Sequence, residues 1–330
     1  MKVFVSSKSF GKTNPDAVAF LESHGFEIRR CSNINPTEED IIKEIDDAEV
    51  LIVGNDPVGA SVFDADKKLR LVVMNGTGVD AIDVKEATKR GILIANAPGA
   101  NRNAVAEMAV CLMLTLGRRI DTYEACLKAG KWERQPGHEI SGSVLGILGL
   151  GNIGKRVVEL LSGFDIRVVA YDPFPDMDWV EKASVKLEKN ANEVFATADY
   201  LVLTLPLNEQ TYHIVNKETL SLMKKSSYVV NVARGGLVDE QALYDALSSK
   251  RIAGAALDTF DEEPLPQDSL LRKLDIVLTP HLAATSIETS IKVSQIVAQK
   301  IIAIIQEGHV ELAINGKEIH KNTKKELQDD

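Results

Sequence analysis

Three short stretches of this chain each carry a residue type that can do chemistry. They read NVARGG (Asn231–Gly236), DTFDEEP (Asp258–Pro264) and TPHLAA (Thr279–Ala284). They offer one arginine (Arg234), a choice of acids (Asp261, Glu262, Glu263) and one histidine (His281). Arg presents a planar fork that can engage a carboxylate and the carbonyl beside it. His titrates near neutrality, so it can give a proton to an oxygen on which negative charge is growing. A carboxylate behind the imidazole fixes its tautomer and favours its charged form. The set suits hydride reduction of a 2-keto acid, and the reverse oxidation. Singly, each residue has a plainer reading: a surface cation, one acid of an acidic loop, a satisfied core histidine. Their joint placement, each just after a strand-like run, outweighs those readings. His24, His138, His213, His309 and His320 lack such a setting and take no role.

Hydride chemistry needs a carrier, and the sequence supplies a place for one. Within Val144–Leu161 (VLGILGLGNIGKRVVELL), Gly149, Gly151 and Gly154 form G-x-G-x-x-G. A strand-like run precedes the glycines, and helical spacing of apolar residues follows them. The next strand-like run closes on Tyr171-Asp172-Pro173, at about the 20-residue separation that the dinucleotide fingerprint requires. Gly149 serves the tight turn, Gly151 lets the backbone approach a pyrophosphate, and Gly154 lets helix and strand pack closely. The pyrophosphate then sits on free N–H groups at a helix N-terminus. Asp172 accepts from ribose hydroxyls and repels a 2′-phosphate, and Pro173-Phe174 add no cation, so NAD is expected over NADP.

The elements that must position these residues alternate along the whole chain. Lys2–Ser6, Glu27–Cys31, Val50–Gly54, Leu69–Asn75 and Ile92–Ala95 are apolar runs of strand length. Asn14–His24, Thr37–Asp46 and Asp83–Arg90 between them are helical. A long amphipathic segment, Asn101–Arg118, leads to a second series of strands. These are Val144–Leu150, Arg167–Asp172, Tyr200–Leu205, Ser227–Val232, Ala253–Asp258 and Ile276–Thr279. Near-continuous apolar strands separated by helices predict parallel sheets covered on both faces, an α/β architecture. Open sheets of this kind hold ligands at the carboxyl ends of their strands, where the three chemical stretches fall. A last helix, about Glu288–Gln306, precedes a polar tail read as solvated surface.

Composition narrows the function classes. With 330 residues the chain exceeds the size at which one core stops growing, so two domains are expected. A formal net charge of −10, with no long basic run, argues against nucleic acid as a partner. No apolar run reaches membrane-spanning length, and the N-terminus lacks a signal-peptide pattern. Three widely spaced cysteines (Cys31, Cys111, Cys126) make neither a disulfide framework nor a zinc site. A reducing, cytoplasmic location and no metal are the expectations.

The chain resembles the D-isomer-specific 2-hydroxyacid dehydrogenase family, most closely its phosphoglycerate-dehydrogenase-like branch. The resemblance rests on GTGVDAIDV (Gly76–Val84), ATKRGILIANAPGAN (Ala87–Asn101), GKWER (Gly130–Arg134), GILGLGNIG, VARGGLVDE and AGAALDTFDEEPLP. It implies two doubly wound parallel-sheet domains. A Rossmann NAD-binding domain (101–283) would be inserted into a flavodoxin-like substrate domain (1–100 and 284–330), with the active site in the cleft. It implies that Arg234 orients substrate, His281 is the acid/base, and Glu263, directly before Pro264, is its partner. It further implies that Gly149, Gly151, Asn152, Ile153, Gly154, Asp172, Val232 and Asp258 meet NAD. The backbone around Thr77-Gly78 would hold the substrate carboxylate, with Asn75 and Gly76 on the same segment. A homodimer built through the nucleotide domain, acting on a small 2-hydroxy or 2-keto acid, completes what the resemblance implies. That acid would be 3-phosphoglycerate-like, hydroxypyruvate, glyoxylate or a related molecule.

Three departures bear on this. Phosphoglycerate-specific relatives often carry an Arg just before the GTG segment, where this chain has Met74 and Asn75, which weighs against a phosphorylated substrate. The chain ends soon after its last helix, so no appended regulatory domain is expected. Ala283 stands where the family usually has Gly. The competing reading is an NAD-sensing interaction protein, like corepressors that keep the same triad. A formate-type donor is disfavoured, because those relatives have Gln at the position of Glu263.

Overall fold

A computed structural model describes residues 1–321, so the reading of the polar tail as solvated surface falls largely outside the described residues. The chain divides into two compact units: Met1–Asn101 together with Thr285 onward, and Arg102–Ala284.

The first unit is built on five parallel strands: β1 (Lys2–Val5), β2 (Glu27–Arg30), β3 (Val50–Val53), β4 (Leu71–Met74) and β5 (Leu93–Ala95). Their order is β2-β1-β3-β4-β5, the flavodoxin-like winding, which reverses direction between β1 and β3. Central strands β3 and β4 are apolar and buried at every position because helices cover both faces. Edge strand β2 reads EIRR and is largely exposed. The helix Ile287–Ile305 begins at a Ser286 cap whose side chain accepts the Thr289 N–H. Its stripe of Val293, Val297, Ala298, Ile301 and Ile302 joins the core of this unit with Val3, Val5, Ile52 and Val73. That stripe is why a segment so distant in sequence returns to the first sheet. The segment that follows covers the other edge. Ile314 donates its N–H to the Ile94 carbonyl at 2.7 Å, and buried Asn315 accepts from the Ile94 N–H at 2.9 Å.

The second unit carries seven parallel strands: β6 (Val144–Leu148), β7 (Arg167–Tyr171), β8 (Lys186–Leu187), β9 (Tyr200–Leu203), β10 (Tyr228–Asn231), β11 (Gly254–Leu257) and β12 (Val277–Leu278). The order β12-β11-β10-β9-β6-β7-β8 is the dinucleotide-binding winding with one strand added. Six of the seven coincide with strands read from the sequence. The seventh, β8, is two residues long, too short to leave a periodic signal. Two apolar clusters cover the opposite faces, one around Phe195, Leu201, Val229 and Leu243, the other around Met113, Ile147, Val202 and Ala256. The direction of winding reverses between β6 and β9, and ligands of such sheets bind outside that point.

Candidate active site

The glycine turn begins where β6 ends. Gly149 has φ +97°, a conformation L side chains rarely adopt, and a Cβ there would stand 2.8 Å from the Leu205 backbone. A Cβ on Gly154 would meet the Gly149 carbonyl oxygen at 2.2 Å. The helix Asn152–Leu160 can therefore sit flush on the turn only with glycine at 154. Thr204 locks the turn from the neighbouring strand, its hydroxyl donating to the Gly149 carbonyl at 2.6 Å. Gly151 is different: a Cβ there would meet nothing within 4 Å. It caps the helix without a side-chain hydrogen bond. The first bond back onto the helix comes from the Lys155 N–H to the Gly151 carbonyl at 3.0 Å. The N–H groups of Asn152 and Ile153 thus have no acceptor among the described residues, the state an anion needs at a helix N-terminus.

Asp172 follows β7, and both its oxygens are aimed by backbone. One accepts the Leu150 N–H at 2.7 Å and the other the Phe174 N–H at 2.8 Å. The carboxylate is fixed against the glycine turn with lone pairs left for ribose hydroxyls. The Lys155 ammonium on the same helix is taken up by Asp176 at 2.7 Å. These residues fit NAD: a bare N–H cradle, an open glycine and one oriented carboxylate.

The three chemical stretches leave the carboxyl ends of β10, β11 and β12, which are consecutive in the sheet. His281 Nδ1 lies 2.7 Å from Glu263 Oε2, and both side chains are about one-third exposed, at 35% and 34%. Oε1 of the same carboxylate accepts the Phe260 N–H at 3.0 Å, which fixes the acid in place. Because a carboxylate only accepts, Nδ1 carries a proton and Nε2 is the nitrogen that faces chemistry. Of the three acids in the loop, Glu263 is the one on His281. Asp261 instead lies 3.7 Å from His213.

His281 itself sits at φ +47°, an uncommon backbone state for a non-glycine residue. Asp258 holds it there. Its own carbonyl accepts the His281 N–H at 2.8 Å. Its carboxylate, fully buried, accepts the Thr279 hydroxyl at 2.6 Å, the Leu282 N–H at 2.9 Å and the Ala283 N–H at 2.8 Å. The side chain implied to meet NAD is spent on the histidine loop. Val232 is likewise 5% exposed and packed in the apolar core, which leaves its backbone for any contact. Ala283 is buried in that core too, so its methyl is accommodated.

Arg234 is half-buried and in extended backbone, one guanidinium nitrogen donating to the Ala233 carbonyl at 2.7 Å. Buried Asn231 shapes its turn, donating to the Arg234 carbonyl at 2.8 Å and accepting the Ala233 N–H at 3.0 Å. Sequence reasoning passed over Asn231, Thr204 and Thr279. The one signal was position, since each ends or directly follows a strand.

In the first unit, Asn75, Gly76, Thr77 and Gly78 follow β4. The Gly76 carbonyl accepts the Ala97 N–H at 2.8 Å, and the Thr77 carbonyl accepts from the Asn96 amide at 2.5 Å. The Thr77 and Gly78 N–H groups have no acceptor among the described residues. Asn75 donates to the Ser7 and Ser9 hydroxyls at 3.2 and 2.9 Å.

A nucleotide-binding sheet that presents an oriented imidazole–carboxylate pair and an arginine defines a class of dehydrogenase, and comparison with known proteins makes the class specific. The family model described as "D-isomer specific 2-hydroxyacid dehydrogenase, NAD binding domain" matches residues 110–283, more than half of the chain. A D-3-phosphoglycerate dehydrogenase of Methanocaldococcus jannaschii is 40% identical over 304 residues, 91% of this chain and 57% of that protein. A glyoxylate reductase of Korarchaeum cryptofilum is 39% identical over 279 residues, 81% of this chain and 83% of that one. Among solved structures, a D-lactate dehydrogenase from Aquifex aeolicus complexed with NAD and lactic acid superposes with a TM-score of 0.82 at 25% identity. That match covers 96% of this chain and 98% of the other. The chain belongs to the D-isomer-specific 2-hydroxyacid dehydrogenase family, and its second unit is the family's NAD-binding domain. It spans 57% and 59% of the length of two phosphoglycerate dehydrogenases that it matches.

Proposed function

We propose that this protein is an NAD-dependent dehydrogenase that interconverts a small D-2-hydroxy acid and its 2-keto acid. The observation that carries the reading is the His281–Glu263 pair, 2.7 Å apart, beside Arg234 on adjacent strand ends. When bound, NAD supplies or accepts the hydride at C2. In reduction, His281 gives its Nε2 proton to the keto oxygen, and in oxidation neutral Nε2 takes it back. Glu263 holds the imidazolium that exists before each reduction. Arg234 orients the substrate through carboxylate and carbonyl, and its fixed charge opposes the negative charge growing on oxygen. The free N–H groups of Thr77 and Gly78 bind the substrate carboxylate, so the first unit acts as the substrate domain. Asp172 selects NAD, on the cradle formed by Gly149, Gly151, Asn152, Ile153 and Gly154. Asp258 serves the loop that presents His281.

The same reading includes a homodimer in the cytoplasm. Ile120 (57% exposed), Leu127 (59%) and Trp132 (79%) are exposed apolar side chains on the helix Ile120–Lys128 and the segment after it. Burying them against a second copy is what supports the homodimer. Among the described residues no helix is long and apolar enough to cross a membrane. The relatives named above are enzymes, which favours turnover over an NAD-sensing interaction role.

The test is a panel of 2-keto acids (glyoxylate, hydroxypyruvate, its phosphorylated form, pyruvate) with NADH, followed by absorbance. Saturable NADH oxidation with at least one of them is expected. Tight NADH binding with no turnover of any would instead point to the sensing role.

A further inference from the structure

The first sheet carries a polar cluster that the reaction as described does not use. It lies at the carboxyl ends of β1, β3 and β4, beside the point where the winding of that sheet reverses. Sheets of this kind hold ligands there. Strand β1 runs out into Ser6, Ser7, Lys8 and Ser9. The Ser6 and Ser7 N–H groups both donate to the Ile52 carbonyl, at 2.9 and 3.2 Å, which fixes the start of this loop. Beyond β4, Asn75 is fixed in turn by its own N–H, which donates to the Val53 carbonyl at 2.8 Å. Its amide joins the two loops, donating to the Ser7 hydroxyl at 3.2 Å and to that of Ser9 at 2.9 Å.

Counting donors and acceptors shows what the cluster offers. Ser7 is 3% exposed, so its hydroxyl proton must be given within the protein. The Ser9 oxygen, 3.4 Å away, is the acceptor within reach. Ser9 then accepts twice, and its own proton is left to donate outward from an exposed position. Asn75 Oδ1 is buried with no hydrogen-bond partner among the described residues. The pair thus leaves a donor on Ser9 and an acceptor on Asn75. With the amide turned over, both serines donate to Asn75, and the leftovers become an acceptor on Ser9 and a donor on Asn75. In both arrangements the complement is a group that gives one hydrogen bond and takes one, which is a hydroxyl.

We propose that Ser9 and Asn75, with Ser7 as their positioning residue, form the subsite for the substituent on C3 of the substrate and select an unphosphorylated hydroxyl there. The substrate is then a 3-hydroxy-2-keto acid of the hydroxypyruvate type, and its product the 2,3-dihydroxy acid. This rests on the dehydrogenase reading above, which leaves the substituent open. Asn75 and Gly76 lead directly into the Thr77 and Gly78 N–H groups assigned to the substrate carboxylate. C3 is two bonds from that carboxylate carbon, so a hydroxyl on it comes within reach of Ser9. A small turn of the part-exposed Asn75 amide brings its unpaired end to the same hydroxyl. A methyl group there meets neither partner. A phosphate dianion only accepts, so the acceptor facing it stays unpaired. Charge argues the same way. Asp56 accepts the Ser6 hydroxyl at 2.8 Å and the Gly54 N–H at 3.2 Å. A Cβ on Gly54 would stand 3.7 Å from both Asp56 Oδ2 and the Ser7 hydroxyl oxygen, so this carboxylate borders the cluster and opposes a dianion. Lys8, exposed between the two serines, is the cation a phosphate would recruit instead.

The test measures kcat/KM with NADH for hydroxypyruvate, pyruvate and phosphohydroxypyruvate in wild type, Ser9→Ala, Ser9→Thr and Asn75→Ala. Wild type should prefer hydroxypyruvate to each of the others by on the order of 10²-fold or more, because a site built around a hydroxyl rejects analogues without it. Ser9→Ala and Asn75→Ala should each cut the hydroxypyruvate-to-pyruvate ratio by on the order of tenfold. Ser9→Thr keeps the hydroxyl and should keep the ratio. A ratio cancels any general loss of activity or of folded protein, and Ser9 is an exposed position where alanine is tolerated. Equal use of pyruvate, a preference for phosphohydroxypyruvate, or an unchanged ratio in Ser9→Ala would overturn the proposal. If none of the three acids is turned over, the dehydrogenase reading fails, and calorimetric titration of the NAD-loaded protein with D-glycerate and D-lactate decides the subsite by itself. D-Glycerate should bind on the order of tenfold tighter to wild type and lose that lead in Ser9→Ala. Equal affinities, or binding of neither acid, reject the subsite.

Discussion

Nδ1 of His281 stands 2.7 Å from Oε2 of Glu263, and the other oxygen of that carboxylate is tied to the Phe260 N–H at 3.0 Å. The acid is therefore oriented before it meets the imidazole, and a change at Glu263 removes charge from a fixed point. Glu263→Gln keeps the shape and removes the charge behind the imidazole, so kcat for reduction should fall on the order of tenfold or more, the worth of a charged hydrogen bond, while NADH affinity stays as in wild type. His281→Ala should cost on the order of 10²–10⁴ in rate. Wild-type kcat in Glu263→Gln, with chemistry rate-limiting, would remove Glu263 from the role.

Asp172 accepts two backbone N–H groups, from Leu150 in the glycine turn and from Phe174 beyond β7. Asp172→Ala therefore loses a ribose acceptor and loosens the turn that carries the pyrophosphate. NADH should bind on the order of tenfold more weakly, the cost of about one charged hydrogen bond. The gap to NADPH should narrow because the repulsion of a 2′-phosphate disappears. Fluorescence titration with both cofactors reads this directly. Equal affinity of wild type for NADH and NADPH would count against selection by Asp172.

Asp258 makes a separable prediction. Its buried carboxylate satisfies the Thr279 hydroxyl and the Leu282 and Ala283 N–H groups. Asp258→Ala strands two backbone donors and one hydroxyl, each costing about 1–3 kcal/mol where water cannot reach. Urea denaturation should show a loss of several kcal/mol, and kcat should fall because His281 is no longer held at φ +47°. NADH affinity should change less than kcat. A variant that loses NADH binding while keeping its stability would make Asp258 a cofactor contact instead.

Strand-length apolar runs between helical stretches made both sheets legible, because parallel strands buried on two faces leave continuous apolar signatures. The glycine fingerprint was legible for a related reason: Gly149 and Gly154 meet backbone constraints that no other residue satisfies. Strand β8 and the helix Ala60–Ala65 were not, being two and six residues long and carrying no full period. Thr279 was illegible as a site residue because its partner, Asp258, lies far away in sequence, and Asn231 because the turn it shapes, through Ala233 and Arg234, leaves no periodic signal. Asp258 was legible only through resemblance, and its burial with three donors was not. Among Asp261, Glu262 and Glu263, spacing alone left three candidates. The structure separates them by what each faces: His281 for Glu263 and His213 for Asp261.

The last prediction concerns stability at high pH. Tyr200 is 2% exposed, stacked on Tyr228 with ring centroids 5.1 Å apart, and its hydroxyl has no hydrogen-bond partner among the described residues. The hydroxyl fits only because Gly117 lacks a Cβ, which would lie 2.6 Å from it. Burial chiefly, with help from Tyr228 and Asp199, raises this phenol from 10.0 to about 12. A folded-state value above the unfolded one means that the native state holds its proton longer. The stability this confers is complete below about pH 10 and is lost as pH rises from about 10 through about 12. By pH 11 the loss from this group comes to about 1.4 kcal/mol. Tyr200→Phe removes an orphaned hydroxyl, so at neutral pH its stability should match wild type or exceed it by about 1 kcal/mol. Between pH 9 and pH 11 the variant should lose about 1.4 kcal/mol less than wild type, measured by urea denaturation at both values. An equal loss in both proteins would mean that Tyr200 ionises as readily in the native state as in the unfolded chain. Cavity formation is not a confounder, because Phe keeps the ring and its stack on Tyr228.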